Sequence, residues 1–262
     1  MKPRIYTLTA ILYSVIAALT LTITPAVYAQ SLEQAYQQGV KLLEAGATAD
    51  ALDIFNEIIS ISSAHKMAWY QQGICLFRLG KYDQALESAE ETLLLDSQFT
   101  FGWNLKGNIL EALSRPDEAL ACYNIALDID PWLKAVWLNR GILHNKQGDY
   151  IDAEGDIKKA VTLGEGSVQA YLELGYAQLM LGEYSLAKEN LAQAETLDAK
   201  NAYLYYYKAS LAAQQGSKGD MLSYLEKALA LDPQLAKRAF VDEAFIGYWN
   251  DKEFDELVRK VK

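Results

Sequence analysis

Residues 66–99 read KMAWYQQGICLFRLGKYDQALESAEETLLLDSQF. Trp69 is followed by Gly73, Gly80, the pair Tyr82 and Asp83, Ala85, and a closing Leu95, Asp96 and Ser97. A stride of 34 residues brings Trp103, Gly107 and Ala119. The next stride brings Trp137, Gly141, Gly148 and Ala153, and the one after it Tyr171, Gly175, Gly182 and Ala187. One stride upstream lie Gly39, Gly46 and Ala51. Internal periodicity of this length decides the architecture before any local signal does.

The residue types explain why this length is a unit. Trp69, Ile74, Leu76 and Phe77 suit one face of a helix, and Tyr82, Ala85, Leu86, Ala89 and Leu93 suit a second. Gly80 between them supplies a residue free to turn left-handed after a helix end. Gly73 and Ala85 are small, so two antiparallel helix axes can approach closely where they cross, and Trp69 is expected to fill the gap beside that crossing. One such hairpin cannot bury its own apolar stripe, so copies must stack.

This pattern resembles the tetratricopeptide repeat, W-x₂-L-G-x₂-Y…A-x₃-F…A…P. The resemblance implies an all-α fold, a right-handed superhelical solenoid of antiparallel helix pairs. Consecutive repeats then occupy 32–65, 66–99, 100–133, 134–167, 168–201 and 202–235. Repeat one has Ala35 where the others have an aromatic. Repeat three has Ser114 in place of the mid-turn Gly and opens its second helix with Pro116, whose missing N–H costs nothing there. The last repeat puts Ala209 and Met221 at the crossing, a weakening expected at an array end. Residues 236–262 hold Ala239, Phe240, Ala244, Phe245, Trp249, Phe254 and Leu257 among Asp and Lys. They look like the closing helices of many bacterial arrays, a C-terminal capping segment expected to cover the stripe of the last repeat.

Residues 1–29 read as a targeting segment. Lys2 and Arg4 precede an apolar run from Ala10 to Ile23, then Pro25 and Val27-Tyr28-Ala29, which fits secretory cleavage before Gln30. Residues 5–23 left uncleaved as a membrane anchor are the alternative, although Tyr6, Thr7, Thr9, Tyr13, Ser14, Thr20 and Thr22 dilute the run. The expected location is therefore periplasmic or extracellular, with membrane contact only through the N-terminal segment if it stays attached.

The chain carries 34 acidic and 24 basic residues, a formal net charge of −10, and loss of Lys2 and Arg4 with a leader makes it more acidic still. Such a surface repels nucleic acid and anionic membranes. Cys75 and Cys122 stand in separate repeats at different helical positions, which argues for two packed thiols rather than a disulfide. His65 and His144 lack Cys or carboxylate partners at ligand spacing, so no metal site is expected. No Ser or Cys has a His partner by pattern, and no phosphate loop is present. Glu90-Glu91 and Asp251/Glu253 read as solvated helix faces, and Arg140 and Lys146 as members of surface pairs. The reading is a non-catalytic chain without a cofactor or a small-molecule substrate.

The resemblance also implies where a partner would lie, because the first helix of each repeat lines a concave groove in this family. By repeat position the groove takes Tyr36, Tyr70, Asn104, Leu138, Leu172 and Tyr206 from the fifth places. Met67, Phe101 and Tyr203 come from the second places, and Asn108 and Tyr176 from the ninth. Asn104, Asn108 and Asn139 form a polar window in an otherwise apolar strip. Aromatics and Met favour anchoring a protein or peptide, with Tyr70 and Leu138 as anchors, and the amides can hold a backbone. The competing reading packs the ninth-place residues against the next first helix. A subfamily that clamps a partner's C-terminal carboxylates needs cations where this chain has Asn104, Gln169 and Glu173, so that role is excluded. The expected function is an interaction scaffold; a structural subunit of an envelope assembly, or self-association through the groove, is the alternative.

Overall fold

The computed structural model describes residues 25–259, and every regular element among them is helical. The leader expected at 1–29 lies outside the described residues except for its last few, which begin the first helix. Among the described residues no helix is long and apolar enough to cross a membrane.

The chain divides into two compact units, the first ending at Leu113 and the second starting at Ser114. The first holds α1 (Pro25–Glu44), α2 (Thr48–Ile61), α3 (Lys66–Arg78), α4 (Tyr82–Leu95) and α5 (Thr100–Ala112). The second holds α6 (Pro116–Ile129), α7 (Lys134–Gln147), α8 (Tyr150–Thr162), α9 (Val168–Met180), α10 (Tyr184–Leu197), α11 (Ala202–Gln214) and α12 (Lys218–Leu231). A short helix α13 (Leu235–Ala239), a 3₁₀ turn (Glu243–Tyr248) and α14 (Lys252–Arg259) complete it. The helices α3, α5, α7, α9 and α11 start 34 residues apart, and so do α2, α4, α6, α8, α10 and α12. The periodicity read from glycines is thus the periodicity of the helices.

Within each unit a helix packs on the next in sequence. In the first unit α3 also touches α1 and α5, and in the second α9 also touches α7 and α11. Odd-numbered helices therefore lie side by side within a unit. The expected crossing is present. A Cβ on Gly73 would meet Leu105 at 3.0 Å and the Ala85 carbonyl at 3.6 Å; one on Gly175 would meet Leu191 and the Ala187 carbonyl at 3.1 and 3.4 Å. Gly148, after α7, has φ of +87°, the left-handed turn that a Cβ penalises. Ser114 takes the same conformation with φ of +59°, the one described non-glycine residue to do so.

Trp69, Trp103 and Trp137 are half-buried, and Trp137 packs against the core that holds Leu138, Ile142 and Ile157. Each indole N–H donates to a carbonyl six residues upstream: Ser63 at 2.8 Å, Ser97 at 2.9 Å and Pro131 at 2.8 Å. The Tyr205 hydroxyl does the same to Ala199 at 3.0 Å. The fourth residue of a first helix sits in its opening turn, so its ring folds back over the preceding loop and pins it. Arg140 is no ordinary surface group. It lies over Trp137 and donates twice to the nearly buried Asp156, at 2.6 and 2.7 Å.

The cap closes the second unit. Phe245 and Phe254 are fully buried, and Phe245 packs edge-on against Tyr206 at 5.6 Å. Lys218 at the start of α12 donates to Asp251 and pairs with Glu253, both at 2.6 Å. Within the segment a 3₁₀ turn lies between α13 and α14.

Candidate functional site

A recess in the second unit is built on the neighbouring helices α7, α9 and α11. Leu172, Glu173 and Tyr176 share one stripe of α9 at i, i+1 and i+4, and Tyr203 and Tyr207 share one stripe of α11 at i and i+4. Asn145 comes from the last turn of α7 and Tyr150 from the first of α8, while Arg238 reaches in from α13. Together they enclose a pocket of about 730 Å³. Asn201 helps fix its rim by capping α11, its side-chain oxygen accepting from the N–H groups of Tyr203 and Leu204 at 3.0 and 3.4 Å.

Four tyrosines and the Arg238 guanidinium share this pocket with Asn145, Lys146, Gln169, Glu173, Asp198 and Asn201. Tyr176 and Tyr207 stack at 4.9 Å between centroids, and Tyr150 meets Tyr176 edge-on at 5.9 Å. The Arg238 guanidinium carbon lies 5.2 Å from the centre of Tyr206, 5.8 Å from Tyr203 and Tyr207, and 6.0 Å from Tyr176. These distances suit attraction between a cation and ring faces. Asp242 receives the Tyr206 hydroxyl at 2.8 Å, and its nearest approach to Arg238 Nε is 3.8 Å, too long for a hydrogen bond. Asn145 Nδ2 donates to both the backbone and the carboxylate of Glu173, at 2.9 and 3.0 Å.

Burial sets the protonation of the site. It pushes the hydroxyls of Tyr176, Tyr206 and Tyr207 well above the ordinary tyrosine value, helped by Tyr150, Asp242 and Glu173 respectively. All three remain neutral donors in any ordinary buffer. Burial also pushes the Glu173 carboxyl up, opposed by the Asn145 amide and by Lys146 and Arg238. Among the described residues no three His, Cys, Asp or Glu side chains converge as a metal cluster would require.

Leu172, Tyr176 and Tyr203 come together here as wall residues. Tyr206 does not join them at the surface: it is 0% exposed, its ring covered by Phe245 and its hydroxyl taken by Asp242. Leu138 packs into a core with Ile142, Ile157 and Leu174, and Asn139 beside it is half-buried. In the first unit, Tyr36 packs on Phe55 and His65, Tyr70 meets Phe99 edge-on at 5.1 Å, and Phe101 leans on the same Phe99 at 5.7 Å. Phe101 is exposed; Met67, Asn104 and Asn108 are half-buried.

Asn145, Tyr150, Asn201, Tyr207 and Arg238 escaped the sequence reading, and Glu173 entered it only as a groove position lacking a cation. Glu173 and Tyr207 are sixth-place residues, one step from the fifth, and helix geometry puts the second, sixth and ninth places on one stripe. Asn145 is a twelfth-place residue on the same side. Arg238 had no signal, because it follows the point where the repeat register ends.

A family profile described as tetratricopeptide repeat matches residues 67–99, and a second of the same description matches 104–168, 138–187 and 172–236. A curated relative, an E3 ubiquitin-protein ligase named CHIP from Arabidopsis thaliana, is 35% identical over 72 residues, 28% of this chain and 26% of the ligase. The chain thus matches about a quarter of that protein's length. Among solved structures, pilF of Pseudomonas aeruginosa superposes with a TM-score of 0.68 at 18% identity, covering 88% of this chain and 98% of that one. YrrB, described as a tetratricopeptide-repeat protein with an unusual peptide-binding site, gives 0.59 at 21% identity, covering 71% and 96%.

Proposed function

Since the chain belongs to the tetratricopeptide-repeat family, a family of non-catalytic scaffolds that bind proteins or peptides, we propose that it holds a peptide segment of a partner in the recess between its first helices. The observation that carries this reading is the pocket of about 730 Å³ between α7, α9 and α11, walled by Tyr176, Tyr203 and Tyr207. Ligand sites are concave, with convergent polar groups that orient the ligand. Arg238, Glu173 and the tyrosine hydroxyls supply that polar set. The net charge of −10 disfavours nucleic acid as the occupant.

The pattern of residues 1–29 supports export, with cleavage before Gln30 and a site of action in the periplasm or outside the cell. Intact-mass measurement of the exported protein tests this, and a mass that retains Met1 in the membrane fraction selects the anchored form.

A pull-down from the producing cell's envelope, followed by binding measurements with variants, tests the groove. Tyr203 is 42% exposed in the pocket wall, so Tyr203→Ala weakens the captured partner by roughly tenfold or more if the ring is an anchor. Lys188→Glu, on the second helix α10, leaves binding unchanged. The reverse pattern would move the working surface to the second-helix face.

A further inference from the structure

The pocket holds two cations, Lys146 and Arg238, and two carboxylates, Glu173 and Asp198, and Arg238 is the charge that lies against the tyrosines. Its guanidinium carries five N–H donors in a rigid fork. In the structure it rests against tyrosine faces; Asp242 stays 3.8 Å away and already holds the Tyr206 hydroxyl, and the Glu173 carboxyl is near enough to feel its charge. Cation–π contact satisfies the charge of a guanidinium but not the hydrogen-bonding capacity along its edge. Tyr207 adds a second donor. Its side chain is 5% exposed and lines the pocket.

The pocket's own acceptors are partly committed elsewhere, and Asp198 accepts from the Lys200 N–H. The Glu173 carboxylate accepts from Asn145, and the Asn201 oxygen accepts from two backbone N–H groups. Asn201 therefore presents its NH₂ rather than its oxygen to an incoming ligand. The recess thus has a donor-rich end at Arg238 and an aromatic wall of Tyr176, Tyr203 and Tyr207.

Building on the proposed peptide-binding role, we propose that the occupant is an extended segment bearing an acidic side chain next to an apolar one. The Asp or Glu carboxylate lies on the Arg238 fork and the Tyr207 hydroxyl, and the apolar neighbour lies on the tyrosine wall. A carboxylate matches the guanidinium fork in two parallel bonds, which an amide cannot do. Volume and span favour a segment passing through over a single bound residue. The recess crosses three adjacent first helices, and helix axes lie about 8–10 Å apart. An extended chain of ~3.3 Å per residue covers that distance with about five or six residues.

The test uses the full chain and three hexapeptides, each with a fluorescent N-terminal label and followed by anisotropy. The first, Gly-Ser-Leu-Glu-Ser-Gly with an amidated end, carries the acidic side chain. The second replaces Glu by Gln, also amidated. The third is the Gln peptide with a free terminal carboxylate. The proposal expects the Glu peptide to bind ~10-fold or more tightly than the amidated Gln peptide. Arg238→Gln removes that preference, whereas Arg238→Lys keeps part of it, and Tyr203→Ala weakens both amidated peptides alike. Thermal unfolding of each variant confirms that the cap is in place.

Equal binding of the Glu and Gln peptides, with Tyr203→Ala still weakening both, overturns the acidic assignment and leaves the peptide groove standing. Preference for the free-ended Gln peptide alone overturns it in favour of a chain terminus. Binding of none of the three overturns the assignment, while the pull-down variants judge the groove independently.

Discussion

Gly141 and Gly155 belong to one helix pair and answer opposite questions. A Cβ at Gly141 would meet Ile157 Cγ1 at 2.5 Å and the Ala153 carbonyl at 3.2 Å; a Cβ at Gly155 would meet nothing within 4 Å. Gly141→Ala should therefore destabilise by about 1–3 kcal/mol through overpacking. Gly155→Ala should stabilise by about 0.5–1 kcal/mol, since Ala is the better helix former. Urea denaturation of both variants measures the difference, and equal shifts would contradict the crossing. Cys75 gives a second residue-scale prediction. Its thiol is buried and free, and burial pushes its pKa to about 11 despite Arg78 nearby. Since the thiolate is the reactive form, an alkylating reagent at neutral pH should leave Cys75 unmodified in the native protein and label it only on unfolding. The glycine crossing was legible because steric need restricts a residue type at a fixed stride. The bond from the Trp103 indole back to the Ser97 carbonyl was not legible, because spacing gives the face of a helix and not the direction in which a long ring folds.

Polar links hold the cap to the last helix pair: the Tyr206 hydroxyl donates to Asp242, and Lys218 pairs with Asp251 and Glu253. The Asp251 carboxyl is held below its usual range by the Lys218 hydrogen bond and by the Phe254 N–H. Lys218 is held above its usual value by Asp251 and then Glu253. A carboxyl whose folded pKa is depressed contributes stability above its unfolded pKa and loses it as pH falls through the folded one. A lysine whose folded pKa is raised contributes below its unfolded pKa and loses it as pH rises through the folded one. The link is thus intact across the neutral range and fails at both extremes. Hydrogen exchange of residues 243–259 should speed up on acidification below the carboxylate range, and Lys218→Ala should show that faster exchange already at neutral pH. Both ends of the link are partly exposed, so unchanged exchange in Lys218→Ala would assign the docking to Phe245, Phe254 and the Tyr206–Asp242 bond. Sequence periodicity told the end of the array but not the form of its cap, because 236–262 has no second copy against which to read a register.

Arrays of this kind are stabilised by contacts between neighbouring repeats, with few between distant ones. A lesion in one place should therefore spread only to its neighbours. A Cβ at Gly39 would press on the Phe55 ring at 2.8 Å. Gly39→Leu should lower hydrogen-exchange protection in α2 and α3 while leaving α12 and α14 as they were; uniform loss along the chain would show a single cooperative transition instead. The helix repeat was legible at this scale because every copy votes for the same stride. The pocket was half legible: Leu172, Tyr176 and Tyr203 followed from position, whereas Glu173 and Tyr207 needed the phase of the helix and Arg238 needed the folded cap.

The provenance of Arg238 has an evolutionary consequence. Repeat arrays lengthen by duplication of an internal unit, and a binding position encoded inside the unit is copied with it. Arg238 lies in α13, beyond the last helix pair, so duplicating any upstream repeat lengthens the protein without multiplying this pocket. Inserting a new repeat directly before the cap would transplant the arginine onto whatever rings the newcomer carries. The reach of the scaffold and the chemistry of this pocket are therefore separate heritable traits, the first free to vary by recombination and the second confined to one copy per chain.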